Sequence, residues 1–227
     1  MRPRALPVAL VTSAAAALAA PAPAPAQVAD PLPPPAAPSS PATVQATQPA
    51  APRSRALGSP WRGHLARGVQ LPVAGPGYLS YDAVLDRLPD RGWRRWGTDE
   101  LVALLERICA EYAAAHPEAP PVLIGDLSRR RGGIFDERYG GLGHASHQNG
   151  LDADVYYPRR DRRPTAARRP RDVDRGLAQD LVDRFAAAGA QKLFVGLRVR
   201  LHGPRRVALA IPYHDDHVHV RIPNPGR

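Results

Sequence analysis

The chain has 227 residues, one cysteine and a formal net charge of +10. A single thiol excludes an internal disulfide framework and a cysteine-rich zinc site, so the fold must rest on a hydrophobic core or on a metal held by other ligands. The excess positive charge favours polyanionic surroundings, but its densest run, "RRDRRPTAARRPR" at 159–171, lacks the interleaved aromatics of a nucleic-acid stacking platform and reads as a solvated loop.

In chain order, Met1, Arg2 and Arg4 precede an apolar run, "ALPVALVTSAAAALAA", and then "PAPAPAQ". A positive start, a short apolar core and a small-x-small ending are the parts of a secretory signal peptide, with cleavage expected after Ala26. The run falls short of the roughly 20 residues that span a bilayer, so a cleaved signal is expected rather than an anchor, and no transmembrane segment after it. The mature protein is then exported, periplasmic or extracellular. Residues 27–57, rich in Pro, Ala, Ser, Thr and Gln, read as a disordered linker. Residues 58–227 suffice for one globular domain.

Within that domain Thr98 or Asp99 can cap "DELVALLERICAEYAAAH", whose apolar residues at 101, 102, 104, 105, 108 and 112 recur at helical spacing. Cys109 belongs to this pattern and reads as a buried helix residue, not a nucleophile. "PVLIGDLS" reads as a buried strand leading to a turn at Gly132 and Gly133, and "LDADVYY" as an alternating strand. A second helix is expected over about 173–189, closed by Gly189. "KLFVGL", "RVALAI" and "HVHVRI" complete the strands. The predicted class is α+β: a single domain with a central, mainly antiparallel sheet flanked by helices and a zinc site on the sheet face.

Five of the eight histidines fall in "HASHQNGLDAD", residues 144–154, and "HDDHVHVRI", residues 214–222. Strand alternation puts His217, His219 and Arg221 on one face and Val218, Val220 and Ile222 on the other. In "LDADVYY" it separates Asp152, Asp154 and Tyr156 from Leu151, Ala153 and Val155. Gly150 allows a turn that folds His147 back over the strand carrying Asp154. Two neutral imidazoles and a carboxylate make a three-ligand site with one zinc position open for water, the mark of a catalytic site. A further imidazole on that face can move protons. HExxH is absent.

"GDLSRRRGG", "HASHQNGLDAD" and "HDDHVHVRIP" resemble the penicillin-insensitive murein endopeptidase family, among the zinc metallopeptidases grouped with lysostaphin, D-alanyl-D-alanine carboxypeptidases and Hedgehog domains. "GVQLPVAGPGY" and "WGTDELVALL" extend the similarity over residues 58–227. The resemblance implies one zinc ion held by His147, Asp154 and His219, with His217 as the base. His214 would stabilise the oxyanion or position substrate, and His144 would line the pocket. Ser128 and Gln148 would contact the ligands or the substrate, and Asp152 would orient a ligand. The implied reaction is hydrolysis of peptide crosslinks in peptidoglycan, at the bond from D-alanine to meso-diaminopimelate. The implied partners are the stem peptides and crosslinks, and the Arg159–Arg171 loop could meet anionic wall polymers; no nucleic acid is expected. The chain departs from the better-known enzymes in its single cysteine, its Pro/Ala stretch, the "GIFDERYGGLG" insertion before His144, and "QKLFVGLRVRLHGP", where His202 reads as a surface residue. Other wall-peptide bonds, cut by a D,D-carboxypeptidase or an L,D-endopeptidase, are alternatives, as is an inert zinc-containing wall-binding module.

Overall fold

The computed structural model describes residues 53–226. The expected signal peptide, and the linker up to residue 52, lie outside them. Among the described residues no helix is long and apolar enough to cross a membrane.

The chain opens with a hairpin of β1 (Arg55–Ser59) and β2 (Arg62–Ala66). β1 starts inside the stretch expected as linker. Just before it, Ser54 N–H donates to Asp99 Oδ1 at 3.1 Å, tying this end of the chain to the first long helix. Short pairings follow: β3 (Val69–Gln70), β4 (Ala74–Gly75), β5 (Tyr78–Ser80) and β6 (Trp96–Gly97).

α1 (Asp99–Ala115) forms where the apolar spacing predicts it. Of the two candidate caps it is Thr98 that serves, its Oγ1 accepting from Leu101 N–H at 3.2 Å. Leu101, Leu105, Ile108, Cys109 and Tyr112 form its buried stripe. β7 (Val122–Ile124) and β8 (Asp152–Tyr156) come next, then α2 (Arg175–Ala187), capped by Asp174. Gly189, at φ 84°, lies just past its end, where a left-handed residue turns the chain without a Cβ clash. β9 (Lys192–Gly196), β10 (Ala208–Ile211) and β11 (His217–Arg221) complete the chain.

Seven strands form the main sheet in the order β10-β9-β11-β8-β7-β5-β4. β10 with β9 and β5 with β7 are parallel, and the other four pairings are antiparallel. Ala153, Val155, Val218 and Val220 are buried in one core cluster with the apolar stripes of α1 and α2, so both helices cover the same face. Helices pack on that face because alternation leaves it free of polar groups. The opposite face of β8 and β11 carries the imidazoles and carboxylates.

Candidate metal centre

β8 and β11 run antiparallel with His219 opposite Asp154, His217 opposite Tyr156 and Arg221 opposite Asp152. Directly opposed residues share a face, so one register gathers two aspartates and two histidines on the side away from the helices. His147 arrives by a loop, turned by Gly150 at φ 76° and by its own backbone at φ 65°. That conformation strains a non-glycine residue and persists only where its surroundings hold it. Ser128 Oγ–H donates to His147 O at 2.5 Å, and His147 N–H donates to Asp152 Oδ2 at 3.2 Å.

His147 Nε2 and His219 Nδ1 lie 3.3 Å apart, and each lies 3.4 Å from Asp154 Oδ1. The other nitrogen of each ring is committed as a donor: His147 Nδ1 to Leu127 O at 2.5 Å, His219 Nε2 to Asp152 Oδ1 at 2.8 Å. These bonds commit one nitrogen of each ring and leave the other facing one carboxylate oxygen. Asp154 Oδ1 is buried without a hydrogen-bond partner. Such a group is costly to bury unless a cation meets it. Tetrahedral zinc with ligands at about 2.0–2.1 Å needs them roughly 3.3–3.4 Å apart, so the spacing and chemistry of the three atoms fit that ion.

The remaining candidates surround this trio. His217 Nε2 is 3.6 Å from Asp154 Oδ1, and its Nδ1–H donates to Asp216 Oδ1 at 2.7 Å. His144 Nε2–H donates to Asp126 Oδ2 at 2.7 Å, leaving Nδ1 3.7 Å from Asp154 Oδ2. His144, His147 and Asp154 offer ligand atoms that all lie within 4.8 Å of one another. His214 stacks beside His217, ring centres 4.8 Å apart, with Nδ1–H donating to Pro212 O at 2.7 Å. All six expected site residues thus meet in one cluster. His202 lies exposed, outside it.

Burial lowers the pKa of His147, His214, His217 and His219, and neighbouring charge decides the outcome. Burial dominates at His219, pushed down to about 4, while at His147 the Asp154, Asp152 and Asp126 carboxylates outweigh it and hold the ring up at about 9. His217 is likewise raised, burial being outweighed by Asp154 and Asp216. Burial, then the charge of His217, holds His214 below the ordinary imidazole value. A neutral His214 with Nδ1–H on Pro212 leaves Nε2 as an acceptor. Cys109 is buried in α1 and burial raises its thiol, as suits a core residue.

Residues not singled out from the sequence complete the support. Asp126, two residues past the end of β7, also accepts from Nε and Nη2 of the buried Arg94 guanidinium. Arg94 donates further to Tyr139 O at 2.7 Å and lies 4.8 Å from the Phe135 ring centre. Phe135, from the insertion, packs 4.9 Å from the His144 ring and forms one wall of the site. A carboxylate two residues past an apolar strand is a readable signal for Asp126; Arg94 offers none. Gln148 acts through its backbone, donating to Pro60 O at 2.9 Å and accepting from Gly133 N–H at 2.9 Å.

The profile of a family described as penicillin-insensitive murein endopeptidase matches residues 56–194, which hold His144, His147 and Asp154 but stop short of β11. A protein of that name from Klebsiella pneumoniae subsp. pneumoniae is 32% identical over 110 residues, covering 48% of this chain and 35% of the relative. One from Escherichia coli O157:H7 is 32% identical over 138 residues, covering 61% and 44%. The chain thus spans less than half the length of these curated relatives. With the profile running through most of the described domain and across the loop that delivers His147, the chain belongs to the penicillin-insensitive murein endopeptidase family.

Proposed function

We propose that the chain is an exported, zinc-dependent peptidase that hydrolyses peptide crosslinks of peptidoglycan, cutting the bond from D-alanine to meso-diaminopimelate as a D,D-endopeptidase. The observation that carries this reading is the buried Asp154 Oδ1, without a donor of its own and faced by His147 Nε2 and His219 Nδ1 at 3.4 Å each. His147, Asp154 and His219 would hold the ion. Once bound, zinc supplies a Lewis acid that polarises the scissile carbonyl and lowers the pKa of water toward about 7.

The chain's own groups do the rest. Leu127 O and Asp152 hold the two ligand rings with His147 Nε2 and His219 Nδ1 turned toward Asp154. Asp216 holds Nδ1–H of His217, so Nε2 takes a proton from the attacking water and returns it to the leaving amine. His214, neutral with Nε2 as an acceptor, suits holding a substrate N–H better than stabilising an oxyanion. His144 lines the pocket, fixed by Asp126. A basic surface fits an anionic wall, although within the Arg159–Arg171 loop Arg159 and Arg163 are paired with Asp161 and Arg168 with Asp86.

A second reading rests on His144. If its Nδ1 supplies a fourth ligand, the site is closed, as in structural zinc centres, and the domain would bind wall material without cutting it. Digestion of crosslinked peptidoglycan with and without a zinc chelator, products identified by mass spectrometry, separates the readings. Chelator-sensitive conversion of dimers to monomers with new D-alanine carboxyl ends is expected, and other new ends would reassign the bond to a carboxypeptidase or L,D-endopeptidase. His217→Ala should retain the ion and lose about 100-fold or more in turnover; unchanged turnover would reject its role as base.

A further inference from the structure

A groove of about 800 Å³ runs beside the metal centre, within the range of about 300–1,000 Å³ usual for ligand sites. It joins the centre at Asp216, which lines it and holds His217 Nδ1. Tyr81, also on its wall, packs edge-on against Tyr156, whose ring lies 5.4 Å from that of His217.

Two features mark the groove as built for a ligand. Leu142 and Tyr213, each 81% exposed, and Leu197, 56% exposed, all line it, and no large hydrophobic among the described residues is more exposed than the first two. Isolated exposed apolar residues need no explanation, but three on one groove continuous with a reactive centre do. The second feature is charge. Asp86 is paired with Arg168 at 2.8 Å, Arg198 with Asp215 at 2.6 Å, and Asp216 with His217. Arg169 remains: it lines the groove, and its side chain has no ion-pair or hydrogen-bond partner among the described residues.

We infer that this groove binds the arm of the substrate peptide beyond the scissile bond, with short apolar side chains against Leu142, Leu197 and Tyr213 and a free peptide carboxylate on Arg169. The inference rests on the peptidase reading and adds to it a residue that selects substrate. A guanidinium fork matches a carboxylate in two parallel hydrogen bonds, and an amide in its place loses the charge and one acceptor. Arg169 makes no contact with the metal cluster, so it sets affinity, not the chemical step.

The test measures KM and kcat of the full chain and of Arg169→Ala on a crosslinked muropeptide dimer with free carboxylates and on the same dimer with its carboxylates amidated. Amidation should raise the KM of the native chain about tenfold or more at little change in kcat. Arg169→Ala should show that higher KM on both substrates. A variant that retains native KM on the free dimer, or that loses as much on amidation as the native chain, overturns the inference. Should the native chain cut neither dimer, the peptidase reading fails, and calorimetry of both intact dimers against both proteins decides the groove alone: a preference for free carboxylates that vanishes with Arg169 upholds it, and equal binding overturns it.

Discussion

At the scale of single residues, the candidate centre depends on groups that touch no substrate. Asp152 accepts from His219 Nε2 at 2.8 Å, from Arg221 Nε at 2.6 Å and from His147 N–H at 3.2 Å, so one carboxylate orients both histidines. Asp152→Asn should weaken metal affinity about 10–100-fold, the usual effect of losing a group that orients a ligand. Competition against a chelator reads this directly, and an unchanged affinity would show that the two rings hold their positions without it. Alternation in "LDADVYY" and "HVHVRI" made Asp154 and His219 legible from the sequence. Arg94 was not, because the Asp126 that explains its burial lies past β7, 32 positions away.

Among the elements, the helices and the strands that build the site follow local pattern, whereas the pairings at the amino-terminal edge do not. α1 begins at a threonine that caps it and keeps a buried stripe of helical period, so its place is written locally. Thr98→Ala removes the acceptor for Leu101 N–H and should destabilise the domain by about 1 kcal/mol, measured by denaturant unfolding. No change would mean that tertiary packing alone sets the start of the helix. β3, β4 and β6 have two residues each, too few for a period to register, and are set by turns and by the partners they meet. The start of β1 at Arg55 is hidden for a different reason: its five residues, "RALGS", lack apolar alternation and are ordered by pairing with β2.

For the whole molecule, the fold separates an apolar face covered by two helices from a polar face that carries the candidate centre, and a buried carboxyl, that of Asp90, makes stability depend on pH. Burial, followed by the charge of Asp126, raises Asp90 to about 8, while Arg94 opposes the shift; the Oδ2 of Asp90 is buried without a partner. The folded chain therefore holds a proton that the unfolded chain releases above about pH 4. Stability from this proton is complete below that pH and is lost as the pH rises through about 8. Asp90→Asn should flatten the fall in Tm over this interval; a fall as steep as that of the native chain would assign it to other groups. The measurement closest to the central claim is the metal content of the purified chain beside His219→Ala, each assayed on crosslinked peptidoglycan. One zinc per native chain, lost together with crosslink hydrolysis in the variant, is the expected result. Native hydrolysis without bound metal, or a variant that keeps both, would contradict the account.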